Sequence, residues 1–162
     1  MATTDRIDQI QEKLDRMSEP RGECRQWTAA HNEHGYGLVR VDGRLQKAHR
    51  VAYTLAYGAI GDGLVVDHMC HNPACIRPEH LHAVTRRQNQ ENRRGAASGS
   101  RSGVRGVHWD GQTRMWRASV GHNGKLFHAG RFATIAEASA AAITLRNRLH
   151  TNNLADQPAT GK

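Results

Sequence analysis

The chain has 162 residues, room for one ordinary domain or two small ones, and carries 23 Lys and Arg against 15 Asp and Glu, a formal charge of +8. No apolar run approaches the roughly 18 residues that a membrane-spanning helix needs, which excludes an integral helical membrane protein and any membrane partner of that kind. The first twenty residues are charged throughout and lack the apolar centre of a secretory signal, so a cytoplasmic chain is expected. Three cysteines, an odd number, point to metal binding or free thiols rather than a disulfide scaffold, and eleven histidines add metal ligands and bases.

In chain order, Ile7, Ile10, Leu14 and Met17 stand three and four residues apart, which predicts an amphipathic helix over 5–17. Its stripe suits either homodimerisation or packing on the next domain. Pro20 and Gly22 end it. Tyr36, Leu38 and Arg40, then Asp42-Gly43, then Leu45 and Lys47 predict a β-hairpin, followed by a helix over 49–57 that Gly58 stops. Short strands are expected over 64–67 and 81–84. Between them, residues 68–80 contain Pro73 and Pro78 and suit neither element. Thr85-Arg86-Arg87-Gln88 has the form of a capping box opening a helix to about Arg94.

Residues 95–103, GAASGSRSG, read as a flexible linker. Beyond it, strands over 104–109, 115–120 and 125–132, separated by Asp110-Gly111 and Asn123-Gly124, predict a three-stranded antiparallel sheet. Thr134-Ile135-Ala136-Glu137 is a second capping box, ahead of an Ala-rich helix to about His150. The expected organisation is therefore a helix over 1–20, a domain over 21–94, the linker over 95–103, a second domain over 104–150 and a disordered tail over 151–162.

Between Arg86 and Arg105, six arginines (Arg86, Arg87, Arg93, Arg94, Arg101 and Arg105) face one acid, Glu91. A solvated face usually mixes the two signs, so a polyanion is the expected partner. Arginine also suits bidentate contact to phosphate or guanine.

The chemistry concentrates in residues 67–89. Cys70, Cys75 and His80 are three zinc-type ligands on a proline-bent loop. Structural zinc wants four, and Cys24 is the remaining cysteine, with His71 and His82 as substitutes. His68 and Asn89 stand outside that set. A carboxylate at Asp67 and an amide oxygen at Asn89 suit Mg2+, while a neutral imidazole at His68 can take a proton from water. Phosphodiester hydrolysis needs that pair of functions: a base for the nucleophile and a cation for the developing charge.

Gly35-Tyr36-Gly37, Ala48-His49-Arg50-Val51-Ala52-Tyr53, Val66-Asp67-His68-Met69-Cys70, Asn72-Pro73-x-Cys75, Pro78-x-His80-Leu81 and Val84-Thr85-x3-Asn89 together resemble the HNH nucleases, also called ββα-metal or His-Me finger enzymes. They look most like the phage and intron-encoded branch, and the His68-x-Cys70-x4-Cys75-x4-His80-x8-Asn89 spacing is similar to that of homing endonucleases. The resemblance covers roughly 23–94. It implies an α+β fold with a ββα-metal nuclease domain, His68 as general base, and Asp67 and Asn89 as ligands of catalytic Mg2+ (or Mn2+). It also supports structural Zn2+ at Cys24, Cys70, Cys75 and His80; His80 stands where the family has its middle asparagine. His49 or Arg50 would hold a neighbouring phosphate. A phage-encoded enzyme of this kind would work in the host cytoplasm or nucleoid.

Ser102-Gly103-Val104-Arg105-Gly106-Val107, Trp116-Arg117-Ala118, Gly130-Arg131-Phe132 and Thr134-x2-Glu137-Ala138 resemble the APETALA or ethylene-response-factor type of DNA-binding domain. The resemblance implies a three-stranded sheet, packed on one helix, that enters the major groove of double-stranded DNA. Strand alternation then sends Trp116, Ala118 and Val120 to the helix and Arg117 and Ser119 to DNA. Arg105, His108, Arg114, Lys125 and His128 join them, with Arg86, Arg87, Arg93 and Arg94 on the preceding stretch. Two functions remain open: a site-specific DNA endonuclease, and a zinc-stabilised DNA-binding regulator without catalysis.

Overall fold

Asp-Gly and Asn-Gly pairs turn this chain sharply, and apolar periodicity decides what packs between the turns. The computed structural model describes residues 2–156. The chain divides into two units, Met1–Arg86 and Arg87–Lys162, each taken here by itself. The division falls ahead of the Gly- and Ser-rich stretch expected as a linker.

In the first unit, α1 (Ala2–Arg16) is followed by a hairpin of β1 (Ser18–Arg21) and β2 (Cys24–Trp27). Pro20 and Gly22, expected only to end the helix, belong to this hairpin, and Gly22, at φ 57, is its turn. Next come β3 (Leu38–Val41) and β4 (Arg44–Lys47), paired antiparallel, then α2 (Ala48–Tyr57). Asp42 and Gly43 both take positive φ, 50° and 74°, the type I′ geometry that matches strand twist. β5 (Leu64–His68) pairs antiparallel with β6 (Leu81–Thr85), which a 3-10 turn (Pro78–His80) precedes.

The core of this unit gathers Leu14, Trp27, Val39, Ala48, Val51, Ala52, Val66, Ile76 and Leu81. Ile10 and Met17 pack against it, so the α1 stripe is spent covering its own unit. Only Ile7 of the stripe stays exposed.

α3 (Arg86–Glu91) starts where expected and stops three residues before Arg94. In the second unit, β7 (Val107–Asp110), β8 (Met115–His122) and β9 (Lys125–Phe132) form an antiparallel sheet in that order. α4 (Ile135–Leu149) packs on it through Ala138 and Ala142, which meet Val107 and Ala118. The Thr134 capping box is complete: the Glu137 backbone N–H donates to Thr134 Oγ1 at 3.2 Å and the Thr134 backbone N–H to Glu137 Oε2 at 3.1 Å. Asn123-Gly124 makes a tight turn at φ 50 and 72°. Asp110-Gly111 does not, because Asp110 Oδ1 accepts from the Gln112 and Thr113 backbone and builds a longer loop.

Two expectations need correction here. Residues 95–103 form hydrogen-bonded turns, Ser100 to Ala97 and Gly103 to Ser100, and Ser102 Oγ donates to Val107 O at 2.7 Å. Residues 151–156 are folded rather than disordered: Asn152 and Asn153 are buried, and Arg146 pairs with Asp156. The rest of the expected tail, 157–162, lies outside the described residues. Asn92, just past the end of α3, is buried.

Candidate functional site

The loop between β5 and β6 closes into a knuckle. The Met69 backbone N–H donates to His80 O at 2.9 Å at its neck, and that of Cys75 to Asn72 O at 3.0 Å within it. β2 lies along the loop, with Trp27 N–H donating to Ala74 O and Ile76 N–H to Arg25 O, both 2.8 Å. That docking, with Trp27 fully buried beneath it, brings Cys24 to a loop some fifty residues further along. The thiols of Cys24, Cys70 and Cys75 and the His80 imidazole have ligand atoms within 4.8 Å of one another.

Cys24 Sγ and Cys75 Sγ each lie 3.7 Å from His80 Nδ1. Tetrahedral zinc, with bonds of about 2.3 Å to sulfur and 2.0–2.1 Å to nitrogen, spaces such atoms by roughly 3.6 Å. The donor set and its spacing therefore fit a zinc-type ion. The Cys70 thiol donating to Cys75, helped by the Arg77 and Arg25 backbone N–H groups, pushes Cys75 well below the ordinary thiol value. The same contact raises Cys70. Neither substitute for Cys24 is in the cluster: His71 lies on the loop at φ 56, and His82 pairs with Asp67.

β5 ends at Asp67 and His68, and alternation turns them opposite ways. His68 is buried, 5 % exposed, with Nε2 3.0 Å from the Cys75 carbonyl oxygen. A carbonyl only accepts, so Nε2 carries the proton and Nδ1 is the basic nitrogen. Burial lowers the His68 pKa, partly opposed by the Cys75 contact, and keeps the ring neutral near pH 7. His49 stacks edge-on at 4.6 Å between ring centroids and Tyr36 lies at 5.9 Å. Asp67 Oδ1 accepts the His68 backbone N–H at 2.8 Å, and Oδ2 lies 3.2 Å from His82 Nε2, its partner in the β5–β6 register. Such a carboxylate is a hard oxygen donor of the kind Mg2+ takes.

The structure brings Asp67 and His68 together beside the knuckle. Asn89 is exposed on α3 and belongs to the second unit. Sequence reasoning missed the Cys75 carbonyl behind His68 and the His82 partner of Asp67. The second follows from the hairpin register; the first carries no side-chain signal.

The expected DNA contacts divide. Arg50, Arg86, Arg87, Arg93, Arg94, His108, Arg114, Lys125 and His128 are exposed. His49 is not: it is 3 % exposed and packed edge-on against His68. Ser119 is buried too, because the β8–β9 register shifts between Ala118 and Ser119 and breaks the alternation. Arg105 spends its guanidinium internally, donating to Arg93 O and to Glu91 O. Arg117 is half-buried, with Nε lacking a hydrogen bond.

Most of the site's residues, though not Cys24, fall inside a segment that matches a known family. Residues 46–91 match the family model of HNH endonucleases. This HNH segment holds the β5–β6 hairpin, three of the four knuckle ligands, Asp67, His68 and Asn89. The chain is also similar to three proteins of Escherichia phage T7. It is 41 % identical to Protein 7.7 over 69 residues, 43 % of this chain and 53 % of that one. It is 34 % identical to Protein 2.8 over 84 residues, 50 % and 57 % of the two. With Protein 3.8 it shares 29 % over 104 residues, 64 % and 84 %. The chain thus spans a little over half the length of the first two. No solved structure matches it.

Proposed function

We propose that this chain is a site-specific DNA endonuclease that hydrolyses phosphodiester bonds, with His68 as general base and one divalent ion, Mg2+ or Mn2+, at Asp67. Zn2+ at Cys24, Cys70, Cys75 and His80 holds the knuckle. The observation that carries this reading is the setting of His68: a neutral, buried imidazole pinned through Nε2 by a backbone carbonyl, inside the segment that matches HNH endonucleases.

His68 accepts a proton at Nδ1 from the water that attacks phosphorus, and the Cys75 carbonyl fixes the ring's tautomer and angle while it does so. Asp67 is oriented by the His68 backbone N–H and His82, so its carboxylate does not have to be ordered at the moment of reaction. When bound, a divalent ion held by the Asp67 carboxylate would supply positive charge to the phosphate oxygens as negative charge builds up there. The order β5, β6, α3 supports the ββα reading of this segment.

The three-stranded sheet with α4 across it supports an APETALA-type reader of double-stranded DNA over 104–150. Phosphate contacts position a nuclease but say little about sequence, and a groove reader supplies that. Arg114, Lys125, His128 and His108 are among its exposed basic or imidazole groups, with Arg131 and Arg148.

A plasmid-nicking assay with Mg2+ tests the reading, with His68→Ala and Asp67→Ala beside the parent. The parent should cut, and both variants should bind DNA without cutting. Retarded DNA with no strand scission by the parent would leave the DNA-binding regulator instead.

A further inference from the structure

Away from the knuckle, the second unit holds another cluster of metal-ligating side chains. Glu91 ends α3, His122 ends β8 and His150 follows α4, and one ligand atom of each lies within 4.8 Å of the others. We propose that Glu91, His122 and His150 form a second divalent-metal site, of the zinc class, that ties the ends of these three elements together.

Glu91 is 5 % exposed, yet no hydrogen bond reaches its Oε1 or the Nδ1 of His122, although the two atoms lie 3.4 Å apart. A buried carboxylate oxygen without a hydrogen bond costs about 1–3 kcal/mol, because its water is lost and no other donor replaces it. Arg87 Nε forms only a loose ion pair with it at 3.6 Å, beyond hydrogen-bond range. A cation seated among the three side chains satisfies both atoms at once.

The carboxylate is already oriented for this: Oε2 accepts the Thr151 backbone N–H at 2.9 Å and its hydroxyl at 3.3 Å, which leaves Oε1 for the ion. His150 touches Arg105 through Nδ1 and Gly121 O through Nε2, both at 3.3 Å. These are long contacts, so releasing one nitrogen to a metal costs little, and the other nitrogen keeps the ring in place.

Two imidazoles and one carboxylate make three protein ligands, the number that leaves zinc a fourth position for water. All three residues border a cavity of about 1270 Å³, so that position has room to open into it. This site shares no ligand with the cysteine knuckle and stands or falls independently of it.

Native mass spectrometry of the full chain, loaded with Zn2+ and freed of excess, tests the proposal. Two zinc ions per chain are expected in the parent and one in Glu91→Gln and in His122→Gln. Reloading with Co2+ should leave the thiolate-to-cobalt absorption of the knuckle unchanged in both variants. Glu91→Gln is nearly isosteric, and an unchanged circular dichroism spectrum guards against misfolding as the cause. A parent that binds one ion, lost in the Cys70→Ser, Cys75→Ser double variant, overturns the site, as does an unchanged count in Glu91→Gln. A single ion that survives the double cysteine change but not Glu91→Gln supports this site and removes the knuckle's ion instead.

Discussion

Burying an imidazole as a neutral group makes the fold sensitive to acid, and His49 is the case in point. Desolvation, with His68, Lys47 and Arg50 nearby, lowers its pKa from 6.5 to about 3. Between those values the unfolded chain takes up a proton that the folded chain refuses, so stability is full above pH 6.5 and falls as pH drops towards 3. Each pKa unit is worth about 1.36 kcal/mol, so the loss is on the order of 4 kcal/mol across that window. Denaturant titrations from pH 7 to 4 should show the slope, and His49→Phe should flatten it. On the proposed function, His68→Ala should reduce nicking by roughly 10²–10⁴-fold while DNA affinity holds, as gel shifts would show. That Cys24, Cys70, Cys75 and His80 gather in one cluster, with Asp67 and His68 side by side at the end of a strand, could be read from the sequence because Cys and His are sparse and crowd into one proline-bent stretch. The burial of His49 could not, since a histidine looks the same whether it faces solvent or a core.

At the scale of elements, close approach sets the tolerances. A Cβ added at Gly37 would lie 2.5 Å from Trp27 Cδ1, and Trp27 is enclosed on all sides. Gly37→Ala should therefore destabilise the first unit by about 1–3 kcal/mol, read as a lower urea midpoint with unchanged slope. Thr134→Ala removes both halves of a capping box and should cost about 1 kcal/mol in the second unit by the same measurement. Hairpins with Asp42-Gly43 or Asn123-Gly124 turns, and helices with strong periodicity or caps, could be read in advance because their signals are local. The β1–β2 hairpin could not: its four-residue strands carry little alternation, and what holds them is the distant loop at Ala74 and Ile76. Ser119 was misassigned for a related reason, because a one-residue slip in the β8–β9 pairing inverts the faces that simple alternation predicts.

At the scale of the whole molecule, two small cores divide the work of stability, and neither is large. A chelator that strips the knuckle should lower the melting temperature of the first unit by more than about 10 °C, with calorimetry as the check. The α+β class and the basic character of the chain were plain from pattern and composition. The division at Arg86 was not, because composition marks the Gly- and Ser-rich stretch while packing decides the boundary. The knuckle also sets an order of events during synthesis. Cys24 is translated long before His80, and the set is incomplete until the latter has cleared the ribosome's exit tunnel. The nascent amino-terminal hairpin must therefore wait, thiol in hand, for its partner residues to emerge before the cluster can close.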